Sequence, residues 1–475
     1  MYTIDYSNPV SVHFIGIGGI SMSGLAEILL DRGFKVSGSD REPSELTRVL
    51  EGKGVTVYYG QCADNIKDGI DLVVYTAAIR EDNEEFMEVK KRNIPMLTRA
   101  ELLGQIMKNY GVAVAVSGTH GKTTTTSMVT DILMKAGLDP TVSVGGMLKE
   151  IGGNIRIGAS EYFVTEACEY TNSFLSFNPT AGIILNIEED HLDFFKDIND
   201  IRSSFRRFAG LIPEDGVLVI SSDIDKYTEI TEGLKCRVIT VSPGNAGGSG
   251  ADYSASDIEY DDKGCASFKI VRSKDLTAAR DKAPAADEDI RIRLLVPGEH
   301  NIGNALAAIA LAEHLGIGSD TIAGAFLDFK GTDRRFQYKG KLGDITIIDD
   351  YAHHPTEIRA TLRAAKNYPH ENIVCVFQPH TYTRTKAFFD EFADALSLAD
   401  MVVLAPIYAA REKDTLGMSS ELLCRELRKK GCDAYSFSTF GEIEEFLVEN
   451  CMSGDLLITM GAGDVVKIGE ELLGK

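Results

Sequence analysis

A lysine and a threonine at the start of a helix are the residues of this chain best placed for phosphate chemistry. VAVAVSGTHGKTTTT carries an apolar run from Val112 into Gly118, Thr119, His120, Gly121, Lys122, Thr123 and Thr124, and a helical pattern follows. A strand, a glycine-bearing turn and a helix start present backbone N–H groups and the positive end of a helix dipole to an anion. Lys122 adds a mobile cation for β- and γ-phosphates, and the Thr123 hydroxyl can hold Mg²⁺. The common spacing G-x-x-x-x-G-K-[ST] requires glycine at position 116. This chain has Val116 there, so the loop is another version of the site.

Acidic residues gather at two further strand ends. Glu166 closes EYFVTE, and Glu188, Glu189, Asp190, His191 and Asp193 follow AGIILN. Mg²⁺ prefers oxygen ligands and takes one or two protein carboxylates beside phosphate oxygens. Glu166 with His191 therefore reads as a metal position next to the loop, and Asp193 reads as part of that site. Glu188 and Glu189 read as a solvated turn. Near the N-terminus, HFIGIGGISMSG places Gly16, Gly18 and Gly19 between a strand and a helix, and Ser39 and Asp40 end the next strand. A pyrophosphate on a helix start fits this pattern, whether from a dinucleotide or a UDP-sugar. The last third offers Arg334, Arg335, His353, His354, His380 and Arg384. Arginine forks suit carboxylates and phosphates. His314, inside an apolar helix, reads as a packed core residue.

The elements that must position these groups are short apolar β-branched runs alternating with longer amphipathic ones, the pattern of α/β domains with parallel sheets. At 475 residues the chain is too long for one ordinary core. Three series are visible, with boundaries near Tyr110 and Lys330, which gives domains 1–109, 110–330 and 331–475. SPGNAGGSGADYSAS and SKDLTAARDKAPAADED, on either side of a hairpin-like CASFKIVRS, read as surface excursions of the second domain. The net charge of −22 opposes nucleic acid and anionic lipid. Eight cysteines without a C-x-x-C pair argue against zinc and disulfide frameworks. With no apolar stretch of membrane-spanning length and no signal-like start, the expectation is a cytoplasmic protein without membrane insertion.

GTHGKTTTT, EACEY, NIEEDHLD, HNIGNALAA, GTDRRFQ, DDYAHHPTE and QPHTYTRTK occur in this order, and in that order they resemble the Mur ligases over essentially the whole length. The resemblance implies a Rossmann-like N-terminal domain, a P-loop-type central ATPase domain and a Rossmann-like C-terminal domain. The branch it is most similar to joins L-alanine to UDP-N-acetylmuramate, with ATP and Mg²⁺. The resemblance further implies that Gly16 to Gly19 hold the UDP pyrophosphate, with Thr76, Ala77, Ala78 and Ile79 near the uridine. It places His300, Asn301 and Asn304 at the adenine and Asp350 at the ribose of ATP. Arg335 would lie by the transferred phosphate, Arg384 and His380 by the amino acid, and His353 by substrate or proton. Several family members carry a carbamylated lysine after the metal-binding histidine; here that region has Ser203 and Ser204, in keeping with the alanine-adding branch. A recycling ligase that adds a murein tripeptide to UDP-N-acetylmuramate shares nearly every motif and is the nearest rival. A nicotinamide oxidoreductase would leave GTHGKT and DHLD unexplained, and intact Lys122, Glu166, His191 and Arg384 argue against a non-catalytic scaffold. Monomer and homodimer are both open.

Overall fold

The computed structural model describes residues 2–76, 78–148, 151–245, 250–273, 290–410 and 412–475. The chain divides into two compact units. The first comprises 1–187, 202–220 and 224–239, and the second comprises 188–201, 221–223 and 240–475.

The first unit opens with five parallel strands in the order β3-β2-β1-β4-β5: β1 (Ser11–Ile15), β2 (Lys35–Asp40), β3 (Thr56–Tyr59), β4 (Leu72–Tyr75) and β5 (Met96–Thr98). It continues with β6 (Val112–Ser117), β7 (Thr141–Leu148), β8 (Gly153–Arg156), β9 (Tyr162–Glu166), β10 (Ala181–Ile184) and β11 (Val217–Ser221), ordered β11-β10-β6-β9-β7-β8. All of these pairs are parallel except β7 with β8. Parallel pairing brings the ends of β6, β9 and β10 side by side, which is where Gly118, Glu166 and Asn186 leave the sheet.

The helix Lys122–Lys135 starts with four threonines, poor helix formers that are crowded at Cβ. It is held by packing of the buried Met128, Val129, Ile132 and Leu133. Ser127 Oγ donates to Thr123 O at 2.7 Å and Thr130 Oγ1 to Thr126 O at 2.8 Å, while the buried Thr125 and Thr126 hydroxyls have no partner among the described residues.

In the second unit, β12 (Arg237–Asn245), from Thr240 on, pairs parallel with β13 (Tyr253–Tyr260). β13, β14 (Cys265–Arg272) and β15 (Arg291–Pro297) are antiparallel neighbours. The last six strands are β16 (Gln337–Leu342), β17 (Ile345–Asp350), β18 (Ile373–Phe377), β19 (Met401–Leu404), β20 (Asp433–Ser436) and β21 (Leu456–Met460), in the order β16-β17-β21-β18-β19-β20. Only β16 runs antiparallel to its neighbour. Side chains alternate between the two faces: Ile348, Cys375, Phe377 and Ile458 pack on one, and Ile347, Val374, Val376 and Leu457 on the other. Helices cover both faces, which is why these strands read as unbroken apolar runs.

The expected mainly parallel α/β organisation is present, with additions. β5 has three residues and no β-branched run to announce it. The β13–β14–β15 meander departs from the parallel pattern because the short turn Asp261–Gly264 can join only antiparallel strands. CASFKIVRS is the middle strand of that meander. Of the two flanking excursions, 246–249 and 274–289 lie outside the described residues. Among the described residues no helix is long and apolar enough to cross a membrane, and all eight cysteines are free thiols.

Candidate active site

Gly118 takes φ +141°, and a Cβ there would lie 3.1 Å from Leu185 Cβ and 3.3 Å from the Asn186 nitrogen. Only glycine lets the loop leave β6 so tightly against the end of β10. Asn186 then clamps the loop. Its backbone oxygen accepts from Thr119 N–H at 3.2 Å, its Oδ1 from His120 N–H at 2.7 Å, and its Nδ2 donates to His120 O at 3.0 Å. The amide acts as a stand-in peptide group, bonding His120 on both sides. The next four N–H groups, Gly121 to Thr124, have no partner among the described residues and open the helix as an anion nest.

Lys122 folds back over this nest. Its Nζ donates to Gly118 O at 2.5 Å, to Thr119 O at 3.1 Å and to Glu169 Oε2 at 3.1 Å. Burial alone would favour the neutral amine. Glu169, followed by Cys168 and Glu166, outweighs it and raises the lysine above its ordinary value, so Lys122 stays a cation. Glu169 is 2% exposed. Breaking such a buried pair costs about 3–5 kcal/mol, against about 1.5–3 kcal/mol for one charged hydrogen bond.

Glu166 stands at the end of β9, where its Oε1 accepts from Gly145 N–H at 3.0 Å. A Cβ on Gly145 would come within 3.1 Å of Glu166 Oε2, and one on Gly146 within 3.3 Å of Thr123 Cγ2. Two side-chain-free residues thus lie against the Glu166 carboxylate and the Thr123 methyl group, where a Cβ would crowd both. The Glu166 carboxylate and the Thr123 hydroxyl are hard oxygen donors, as Mg²⁺ requires.

The N-terminal turn is built differently. Gly16 and Ile17 N–H both donate to Ser39 O, at 2.8 and 2.9 Å, and Gly18 N–H to Asp40 Oδ2 at 2.8 Å. Ser39 is itself buried, with its hydroxyl on Glu85 Oε2 at 2.6 Å. Ser39 and Asp40 therefore shape the turn from within. The donors left at this helix start are Ile20 to Met22, which have no backbone partner among the described residues. Arg99 reaches the same point, donating to Ser21 Oγ at 3.2 Å. Thr76 lies against Gly16, Ala78 is exposed and Ile79 is half-buried; Ala77 lies outside the described residues.

The second unit assembles another cluster. Asp190 Oδ1 accepts from Arg384 Nε at 3.2 Å, from Arg384 Nη2 at 2.9 Å and from His191 N–H at 2.7 Å. Burial would raise Asp190, but Arg384 foremost, then His191, His354 and His353, hold it well below the usual carboxylate range. Arg384 Nη1 lies 3.0 Å from His380 Nδ1. Arginine only donates, so His380 accepts at Nδ1, and burial and Arg384 lower it to about 4. His353 Nδ1 faces Tyr351 O at 3.0 Å and therefore carries the proton; burial lowers this histidine to about 4. Both rings are neutral at pH 7.

The adjacent arginines part company. Arg334 is locked by Asp349 Oδ2 at 2.9 Å, Gly463 O at 3.0 Å and Gly461 O at 2.7 Å. Arg335 lies 5.2 Å over the Tyr351 ring and 3.6 Å from Glu357. Arg334 and Phe336 on either side of it have positive φ, +61° and +47°. Asp350 is buried, accepts from Phe336 and Ala352 N–H at 2.7 Å each, and is pushed up to about 6 by burial. Asn301 donates to Pro297 O at 2.8 Å and Asn304 to Asn301 Oδ1 at 2.9 Å, while His300 is exposed.

Two sequence expectations change, those for Glu188 and His314. Glu188 is not simply a solvated turn, because its Oε2 accepts from Thr356 Oγ1 at 2.6 Å; Glu189 is exposed as expected. Asp193 is also exposed. His314 is only half-buried, at the last turn of its helix, where a cation would favour the dipole. The sequence reading missed Asn186, Glu169, Arg99 and the Asp190–Arg384 pair.

Three family models match in succession: the Mur ligase family catalytic domain over residues 11–111, the Mur ligase middle domain over 116–312 and the Mur ligase glutamate ligase domain over 334–463. The chain is 60% identical over 475 residues to the UDP-N-acetylmuramate–L-alanine ligase of Agathobacter rectalis, with both chains fully covered. It is 50% identical to that of Clostridium kluyveri, over 98% of this chain and 99% of the relative. Among solved structures, UDP-N-acetylmuramate–alanine ligase from Thermotoga maritima superposes with a TM-score of 0.77 at 29% identity, covering 98% of each chain. With loop, nest and cluster in place and the matches running from end to end, the chain belongs to the Mur ligase family.

Proposed function

We propose that the chain joins L-alanine to the lactyl carboxylate of UDP-N-acetylmuramate, converting ATP to ADP and phosphate. Its place is cytoplasmic precursor synthesis for peptidoglycan. The observation that carries the reading is the loop Gly118–Thr124, with four open N–H groups beneath a lysine kept charged by Glu169. The extent of the likeness to relatives named for the alanine-adding step supports the choice of substrates.

A free carboxylate resists attack by an amine because oxide is not a workable leaving group. A carboxylate oxygen attacks the γ-phosphorus of ATP, ADP departs, and an acyl phosphate forms. The alanine nitrogen attacks its carbonyl carbon, the ammonium proton passes to solvent or a base, and the C–O bond to phosphate breaks. Catalysis of the first step is mostly positional and electrostatic. Lys122 and the N–H groups of Gly121 to Thr124 neutralise the phosphates in place. Thr123 and Glu166, with His191 as the third ligand, are the residues that would hold Mg²⁺, which when bound offsets phosphate charge. In the second unit Arg384 uses three of its five donor positions on Asp190 and His380 and keeps two for the carboxylate of the incoming amino acid. His380 and Arg335 line the same work, at the amino acid and the transferred phosphate. Neutral His353, with its proton on Nδ1, leaves Nε2 to accept a proton. His300, Asn301, Asn304 and Asp350 serve the adenosine. Gly16 to Gly19, Ser39, Asp40 and Thr76 to Ile79 shape the UDP site. The work divides over domains 1–109, 110–330 and 331–475.

The test is omission. Phosphate release should require ATP, UDP-N-acetylmuramate and an amino acid together, and the product should be the alanyl amide by mass. Release in the absence of the UDP-sugar would contradict the assignment.

A further inference from the structure

The bonds of Lys122 carry an inference that rests on reading Gly118–Thr124 as the ATP site. Nζ has three protons, and they are directed at Gly118 O, Thr119 O and the Glu169 carboxylate. A phosphate can be met only if one of these partners is released. Lys122 is the only hydrogen-bonding partner of the Glu169 carboxylate among the described residues. Losing it would strand a buried charge, whereas a carbonyl that loses one donor stays neutral.

The backbone after Glu169 is shaped to hold it there. Thr171 and Asn172 are consecutive non-glycine residues with φ +55° and +58°. Such strain persists where surroundings enforce it. Asn172 N–H donates to Glu169 O at 2.9 Å, and Asn172 Oδ1 accepts from Ser204 Oγ.

We propose that Glu169 is a positioning residue that stays paired with Lys122 when nucleotide is bound, so that the lysine reaches the phosphate by giving up a loop carbonyl. Glu169 itself never touches the phosphate. The rival is a placeholder that the phosphate displaces.

Glu169→Gln and Glu169→Asp, compared with the unaltered enzyme in ATP-dependent phosphate release, separate the two. UDP-N-acetylmuramate binding, at the other turn, checks the fold of each variant. The tether predicts that Glu169→Gln lowers kcat on the order of 10–100-fold and leaves the KM for ATP within about threefold. Glu169→Asp, which keeps the charge, should retain more of the activity. Unchanged kcat with a lower KM for ATP in Glu169→Gln overturns the tether in favour of the placeholder. Equal damage from Gln and Asp overturns it too, since charge would then not be what acts. If Glu169→Gln fails to fold, Glu169→Asp decides: activity within about tenfold of the unaltered enzyme supports the tether, and a loss as deep as that of Lys122→Ala ends it. An unaltered enzyme that shows no ATP binding in calorimetric titration refutes the ATP-site reading instead, and the tether with it.

Discussion

The turn at Gly16–Gly19 and the loop at Gly118–Thr124 both carry a strand into a helix start, but they spend their backbone donors in opposite ways. The first uses the N–H groups of Gly16, Ile17 and Gly18 on Ser39 and Asp40 and offers those of Ile20 to Met22, with Arg99 fixed beside Ser21. The second leaves Gly121 to Thr124 open, anchors Thr119 and His120 to Asn186, and adds a lysine held by a buried glutamate. Under the proposed function, a turn bonded within itself would serve as a rigid seat for a diphosphate that stays intact. A loop with open donors and a cation on a flexible stem can follow a phosphate while it transfers. Binding and chemistry call for different economies of the same motif.

Lys122→Ala should break the second site alone. Phosphate release should fall by about 10³-fold or more, with UDP-N-acetylmuramate binding unchanged; near-normal turnover would end the lysine's assignment. Arg99→Ala should raise the KM for the UDP-sugar about tenfold and leave kcat nearly intact. A collapse of kcat there would mean that the two turns do not divide the work. Asn186→Ala leaves His120 N–H without its acceptor. Calorimetric titration should show ATP affinity weakened by about 1–2 kcal/mol, with no change for the UDP-sugar.

The smallest effect concerns acid. His13, buried beneath the first turn, is lowered to about 4 by desolvation, so between pH 4 and 6.5 the unfolded chain binds the extra proton. Stability should therefore fall as pH drops from 6.5 towards 4. Glu85, raised by burial, opposes this in part. Lys122, raised by its partners, contributes stability that is lost only as pH climbs past 10.5. The melting temperature should drop by a few degrees between pH 7 and 5, and His13→Phe should flatten that drop. An unchanged slope would place the acid-sensitive group elsewhere.

Much of this was legible because strand ends announce themselves. Apolar β-branched runs followed by glycine or charge marked β1, β6, β9, β10, β17 and β18, and with them Lys122, Glu166 and His191. The residues overlooked stand inside the same motifs. Glu169 is three positions after Glu166 and Asn186 opens NIEEDHLD, but each acts through a partner 47 or 66 positions away in the chain. Asp190 was visible as an acid, while its partner Arg384 lies 194 positions on. Spacing along the chain reports helix faces and strand ends; it carries no record of which strand ends are neighbours.

The most direct test is phosphate release with Mg-ATP and UDP-N-acetylmuramate, comparing L-alanine, glycine, L-serine and the murein tripeptide as acceptors. The proposed function predicts a clear preference for L-alanine. Preference for the tripeptide would move the chain to the recycling branch with its loop chemistry intact, and no release with any acceptor would contradict the assignment of the substrate.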